Sequence, residues 1–373
     1  MKFLSVVGAR PQFIKIAPMS RAIAEYNKDK KDKIEDIIVH TGQHYDSDMS
    51  DIFFDELKIP KPHFHLGVGS CGHGAQTGRM IEKIEELLLD VKPSIVIVYG
   101  DTNSTLAAAL AAVKLHIPVI HIEAGLRSFN RAMPEEINRI VADHVSSLLL
   151  APTPTAMENL KNENLITKSL NVGDIMRDAV IFNSNLAKNK SLVLRELLLR
   201  SKEYGLVTMH RAENTDDLIR LKDILNALNT IAEEGLRLIF PVHPRTKSVI
   251  NKELNNWRPC KNFSLVDPVG YLDMMELVGN AKIAFTDSGG LQKEAFFLNC
   301  PCITLRDETE WVETVTSGGN IITGAKPEEI HKAFTQWSEL MSHEIDFSKQ
   351  VNSVFGEGKT AEKILDAIVE YIH

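Results

Sequence analysis

Between His121 and Arg139 the chain reads HIEAGLRSFNRAMPEEINR, with three glutamates (Glu123, Glu135, Glu136) and three arginines (Arg127, Arg131, Arg139). The stretch starts where an apolar run, IPVIHI, stops. Charges are not brought close to a core without partners or a task. Two readings fit: a structural Glu–Arg network, or carboxylates that carry protons with cations to balance them. A second stretch, DSGGLQKEA from Asp287 to Ala295, suits a different job. Ser288, Gly289 and Gly290 precede a helical pattern, so bare backbone N–H groups would point outward at a helix N-terminus, an anion site suited to a diphosphate. Glu294 falls one to two turns into that helix, where a carboxylate can accept from ribose hydroxyls. The plainer reading is a helix cap with a glycine turn.

Other polar groups also follow apolar runs. Arg10 and Lys15 flank a helix start after FLSVV, in GARPQFIK. Asp101 follows SIVIV in YGDTNST, where Thr102 to Ser104 can cap an Ala-rich helix. His210 and Arg211 follow YGLVTM, and His243 follows LRLIF. A crevice holding Arg10, Lys15 and Arg211 favours the anion reading of DSGG over the plain cap.

The elements that must position these groups are legible as ten short apolar runs: FLSVV, DIIVH, SIVIV, PVIHI, LLLA, YGLVTM, LRLIF, NFSLV, KIAFT and CITL. Runs buried on both faces and separated by helix-length segments indicate parallel sheets with helices on both sides. Ten runs exceed one comfortable sheet. The expected fold is therefore α/β, with two Rossmann-like doubly wound domains and ligands in an interdomain cleft at the strand ends. The expected boundaries are 1–173 for the first domain, with a C-terminal helix at about 357–373 packing back on it, and 174–356 for the second.

The bulk numbers exclude several classes. The net charge of −8 argues against a nucleic-acid surface, and no apolar run approaches the roughly 20 residues of a bilayer span. MKFLSVVGARPQF reads as a first buried strand rather than a signal peptide. The four cysteines fit no zinc site, and the histidines lie in no HExxH-type context, so no metal is expected. GVGSCG, Gly67 to Gly72, fits G-x-G-x-x-G but does not follow the first strand, so it reads as a loop and implies no nicotinamide cofactor. A cytoplasmic protein is expected.

Taken in order, GARPQFIK, HTGQHYD, YGDTNST, HIEAGLRS, MPEEINR, MHRAEN, FPVHPR and DSGGLQKEA resemble the non-hydrolysing UDP-N-acetylglucosamine 2-epimerase family, from Lys2 to about Thr309. The resemblance implies a GT-B-like pair of Rossmann domains acting on a UDP-sugar without metal or nicotinamide. It also implies a two-step inversion of C2, in which UDP leaves C1 as the C2 proton leaves, and then adds back after a proton arrives on the opposite face. That proton is not next to a carbonyl, so its removal must be coupled to the leaving group, with carboxylates at the ring and cations at the phosphates.

By matching position, Glu123 and Glu135 are the acid–base candidates with Asp101 as the third acid, and Glu136 contests the place of Glu135. Arg10, Lys15 and His210 resemble substrate contacts, His210 being counted with the catalytic group. Ser288, Gly289, Gly290 and Glu294 resemble the UDP grip, and Arg306 an approach to the phosphates. Gln43, His44, Glu136, Arg211 and His243 match a second, activating UDP-GlcNAc site, Arg211 and His243 being counted with the substrate contacts. A homodimer is implied too.

Two departures bear on the substrate. Trp311 and Val312 stand where many members have Arg-Pro, and with ARPQF and HGAQTGRM this resembles the branch acting on UDP-2,3-diacetamido-2,3-dideoxyglucuronic acid. Ala75 stands before Gln76 where the activator site calls for an arginine. UDP-GlcNAc is the first expected substrate and the uronic acid sugar the second. A glycosyltransferase of the same fold, a non-catalytic nucleotide-sugar sensor and a hydrolysing epimerase are the rival readings.

Overall fold

A computed structural model of the chain describes residues 1–43, 54, 57–254, 256–341 and 345–373, with Arg10 described by its backbone alone. The chain divides into two compact units, Met1–Ala179 with Val354–His373, and Val180–Ser353.

The first unit holds seven parallel strands: β1 (Lys2–Val7), β2 (Glu35–His40), β3 (Phe64–His65), β4 (Ile95–Tyr99), β5 (Val119–Ile122), β6 (Leu148–Ala151) and β7 (Ser169–Asn171). Their order is β3-β2-β1-β4-β5-β6-β7. The second holds six: β8 (Tyr204–Thr208), β9 (Arg237–Pro241), β10 (Phe263–Val266), β11 (Ile283–Thr286), β12 (Cys302–Thr304) and β13 (Asn320–Ile322), in the order β10-β9-β8-β11-β12-β13. Each order reverses once, between β1 and β4 and between β8 and β11. At such a switch point the two flanking loops run to opposite faces and leave a crevice at the carboxyl ends of the strands.

All ten apolar runs are strands, and β4 is buried along its whole length. The helices of the first unit are α1 (Arg10–Asp29), α2 (His73–Val91), α3 (Asn103–Lys114), α4 (Pro134–Val145) and α5 (Pro154–Asn162). Helix α3 packs against α2, α4 and β4. Its sequence NSTLAAALAAVK explains how one helix can do this: Ala107, Ala108, Ala109, Ala111 and Ala112 are all buried and add little bulk on either side. Thr102 caps it, its hydroxyl accepting from the Thr105 amide at 3.3 Å.

The chain leaves the first unit inside a helix, α6 (Ile175–Lys190). In the second unit α7 (Pro244–Glu253) follows β9, α8 (Tyr271–Asn280) follows β10 and α9 (Gly289–Phe297) follows β11. The return also runs through a helix, α10 (Ser348–Phe355), into α11 (Thr360–Ile372), which packs on α1. Asp178 of α6 fixes the start of α11 by accepting from the Thr360 and Ala361 amides at 3.0 and 2.8 Å. Such a carboxylate satisfies amides that a helix cannot pair internally.

GVGSCG is the loop from β3 to α2, at the sheet edge and away from the β1/β4 switch point, which is where a dinucleotide fold uses its glycines. Among the described residues no group of His, Cys, Asp and Glu could hold a metal, and no helix is long and apolar enough to cross a membrane. Cys300 and Cys302 are buried, Cys71 is exposed, and burial pushes the Cys300 thiol up to about 12.

Candidate active site

At the first switch point the loop after β4 turns at Gly100, whose φ of +62° is left-handed. A Cβ here would stand 3.0 Å from the Glu123 carboxylate and 3.3 Å from the Lys15 ammonium, so only glycine lets this turn sit against both. Glu123 and Lys15 form an ion pair with each other, both nearly buried. Glu123 itself lies at φ +71°, uncommon for a residue with a side chain and worth reading as a functional constraint. The bend is held by the Glu123 and Ala124 amides, which both donate to the Leu150 carbonyl, at 3.0 and 3.1 Å.

Asp101, the next residue after Gly100, pairs with Arg139 of α4 and keeps a third of its side chain exposed. Asn138 donates to the Asp101 carbonyl at 2.9 Å. Asp101, Glu123 and Lys15 thus gather around one peptide turn at the strand ends. Lys15, expected as a substrate contact, is the counter-charge of Glu123 here. Arg10 opens α1, whose first turn is fixed by Gln12: its Oε1 accepts from Gly8 and Ala9, and its Nε2 donates to the Tyr99 carbonyl at 2.9 Å.

Neighbours on α4 have opposite surroundings. Glu135 is exposed. Glu136 is buried and accepts from the Ser128 amide and hydroxyl and the Phe129 amide, each at 2.9 Å, and from Arg139 at 2.9 Å. It orders the loop after Arg127. Burial works to raise its carboxyl, but the Ser128 and Phe129 bonds and Arg139 outweigh that and hold it below the usual range.

The sign of the linkage follows. A carboxylate with a depressed folded pKa contributes stability that is full above the unfolded value, about 4.3, and is lost as pH falls through the folded value. Glu136→Gln is expected to lower stability by about 2 kcal/mol at pH 7, the scale of lost charge-assisted bonds. In thermal melts its deficit against the wild type should shrink progressively below about pH 4.

Gln43, from the candidate activator set, accepts on Oε1 from the Ser104 amide and hydroxyl at 3.0 and 2.7 Å. His44 lies outside the described residues.

At the second switch point Asp287, fully buried, organises the loop after β8. Its carboxylate accepts from the His210 amide at 3.1 Å, the Arg211 amide at 3.0 Å and Asn214 at 3.2 Å. The His210 ring is half exposed with Nδ1 3.4 Å from Asp287. Ser288 caps α9, its hydroxyl accepting from the Leu291 amide at 3.4 Å. Glu294 is buried and accepts from the Tyr271 hydroxyl at 3.1 Å. Gly289 is buried and Gly290 exposed, so the start of α9 opens to solvent at Gly290.

Arg306 donates to Glu310 at 2.9 Å, and the Glu310 carboxylate lies 2.5 Å from where a Cβ on Gly289 would stand. Burial works to raise the Glu310 carboxyl, but Arg306, with Arg211 behind it, holds it below the usual range. Trp311 follows it, its ring covered by the Lys293 ammonium at 3.6 Å. His243 is exposed and caps α7, accepting from the Arg245 amide at 3.3 Å.

Sequence reasoning named Arg139 only among the arginines that balance the acids, and gave Asp143, Asp287 and Glu310 no role. One signal was available: Glu136, Arg139 and Asp143 recur at spacings of three and four, one face of a helix. Asp287 opens DSGG but is consumed by the neighbouring loop, which a one-dimensional pattern does not reveal.

Comparison with known proteins agrees with this architecture. A family model described as UDP-N-acetylglucosamine 2-epimerase matches residues 27–369. The chain is 49% identical over 374 residues to a UDP-N-acetylglucosamine 2-epimerase homolog of Methanococcus maripaludis, covering 99% of each. It is 50% identical over 329 residues to the UDP-2,3-diacetamido-2,3-dideoxy-D-glucuronate 2-epimerase of Pseudomonas aeruginosa, covering 87% of this chain and 89% of that one. A crystal structure of Methanocaldococcus jannaschii UDP-GlcNAc 2-epimerase in complex with UDP-GlcNAc and UDP matches with a TM-score of 0.84 at 42% identity, covering 99% of this chain and 100% of that one. The two doubly wound sheets are those of the GT-B-like fold these enzymes share. With the match running nearly end to end in sequence and in fold, the chain belongs to the UDP-N-acetylglucosamine 2-epimerase family.

Proposed function

We propose that this protein is a non-hydrolysing 2-epimerase of a UDP-sugar, converting UDP-GlcNAc to UDP-ManNAc. The observation that carries this reading is the gathering of Asp101, Glu123 and Lys15 around the Gly100 turn at a switch point, in a chain of this family. A carboxylate takes the C2 proton as the C1–O bond to UDP breaks, leaving a glycal and UDP. UDP then adds back to C1 while C2 receives a proton on its other face. Glu123, Asp101 and Glu135 are the proton carriers and His210 acts beside them. Arg10, Lys15, Arg211 and His243 contact the substrate. Ser288, Gly289, Gly290, Glu294 and Arg306 hold UDP, with Gln43, His44 and Glu136 as candidate activator contacts. Neither metal nor nicotinamide is needed, because carboxylates move the protons and the diphosphate is already a good leaving group.

The same chemistry on UDP-2,3-diacetamido-2,3-dideoxyglucuronic acid is the second reading, supported by the Pseudomonas relative and by Trp311 stacked on Lys293 beside the UDP residues. A cytoplasmic homodimer supplying surface polysaccharide synthesis completes the proposal.

Proton NMR in D₂O, with each sugar and no acceptor, tests it. Deuterium at C2 with the epimer's anomeric signal supports epimerisation, and the responding sugar identifies the substrate. Free sugar released with UDP would instead mark a hydrolysing enzyme, and no exchange with either sugar would overturn the reading. For the UDP grip, Glu294→Ala is expected to weaken UDP binding by about tenfold to a hundredfold, the scale of one charged hydrogen bond. Calorimetry with UDP alone measures it, and unchanged affinity would remove Glu294 from the grip.

A further inference from the structure

One fully buried group next to the proposed acids has no role in that chemistry. His121, the last residue but one of β5, is completely buried, as is Asp143 of α4. Its Nδ1 lies 2.7 Å from Asp143 Oδ1 and its Nε2 2.7 Å from the Gly100 carbonyl. A carbonyl only accepts. Asp143 is ionised: burial works to raise it, but His121 and Arg127 hold it below the usual range, with Arg127 at 2.7 Å. Both ring nitrogens therefore face acceptors, and a neutral imidazole has one N–H to give. A ring that donated to both would need two.

What it touches makes this consequential. The Gly100 peptide carries Asp101 on one side and lies against Glu123 and Lys15. Asp143 Oδ2 also accepts from the Gly125 amide at 3.1 Å, so one carboxylate grips the chain two residues before Glu123 and two residues after it. Arg127 continues the chain of charges to Glu163 at 2.6 Å. The left-handed bend at Glu123 is thus bracketed on both sides by Asp143.

We propose that His121 is a positioning residue for the C2 proton transfer: as a buried imidazolium it ties the Gly100 carbonyl to Asp143, and so sets the turn on which Asp101 and Glu123 meet. The inference rests on the epimerase reading. It assigns His121 no contact with substrate.

Two substitutions separate positioning from packing. In His121→Gln the side-chain amide reaches the Nε2 position and can keep the donor to Gly100. In His121→Asn it reaches the Nδ1 position, keeping the donor to Asp143 and losing Gly100. Each variant breaks one half of the tie, so both are expected to lose kcat: the Asn variant by about a hundredfold, the cost of a misplacement near 1 Å, and the Gln variant, which keeps the bond to the Gly100 carbonyl, by clearly less. KM and UDP affinity should stay unchanged in both. Equal activity in two folded variants would overturn the proposal, because a purely structural role treats them alike. Nitrogen-15 NMR of the wild-type ring reads the clamp without any variant. Two slowly exchanging ring protons are expected, and a neutral tautomer overturns the proposal even if the Asn variant fails to fold. Wild-type protein inert toward both UDP-sugars would overturn the epimerase reading and this one with it. Active wild type with an equally active Asn variant would overturn this one alone.

Discussion

Glu123→Gln is expected to lower kcat by about a thousandfold or more while leaving UDP affinity within about twofold. Glutamine keeps the shape but cannot take a proton, and positioned acid–base groups contribute about 10² to 10⁴ in rate. UDP affinity is spared because the proposed grip, Ser288 to Glu294, belongs to the second unit. The variant also leaves Lys15 nearly buried without its counter-charge, and breaking such a pair from one side costs about 3–5 kcal/mol. A drop in melting temperature should therefore accompany the loss of activity. The double variant Lys15→Met, Glu123→Gln tells the two effects apart, since it should recover much of the stability and none of the turnover. Deuterium exchange at C2 is the readout that decides it, and near-normal exchange in Glu123→Gln would mean that another group removes the proton.

Gly125→Ala is expected to be strongly destabilising. Gly125 sits at φ +82°, and a Cβ there would stand 2.5 Å from the Ala156 carbonyl oxygen and 2.8 Å from Leu160 Cγ. The backbone penalty is about 1–2 kcal/mol. Overpacking adds about 1–3 kcal/mol because the obstacle is a helix backbone that cannot step aside. A total of about 2–5 kcal/mol should appear in urea unfolding. Gly235 is the control: its φ of +114° also disfavours a side chain, but nothing lies within 4 Å, so its alanine variant should show the backbone term alone. Activity in any folded Gly125→Ala protein should fall as well, because the Gly125 amide is one of the two holds that Asp143 keeps around Glu123. Equal stability losses for the two glycines would show that the α5 contact yields more easily than its geometry implies.

Ten strands were legible because a strand buried on both faces is mostly apolar, and β1, β4, β5, β8 and β11 are, with Ser5 and His121 as buried polar exceptions. Strands β3, β7 and β13 were not. Each is two or three residues long and lies at a sheet edge with a neighbour on one side only, so FH, SLN and NII carry no run to notice. The expected boundaries, 173 and 357, lie close to the places where the chain changes unit but not on them. Both changes fall inside helices, α6 and α10, whose amphipathic patterns continue across the change without a break.

Among the candidate site residues, what could be read was chemical type and place. A polar residue immediately after a buried strand run is at the carboxyl end of a sheet, and that alone singled out Asp101, Glu123, His210 and the DSGG turn before any coordinates. Partnership could not be read. Lys15 meets Glu123 across 108 residues, Arg139 meets Asp101 across 38, and Asp287 turns back to the His210 loop across 77. Glu135 and Glu136 are adjacent and chemically identical, yet the helix turns about 100° between them, so one is exposed and the other is sealed against the Ser128 loop. The sequence by itself determined two parallel sheets, the loops that bear charge and the family whose motifs they carry, because burial and strand-end position are local properties of a chain. Only the tertiary structure decided which charges neutralise one another and which carboxylate faces water, because those depend on strand order and helix rotation.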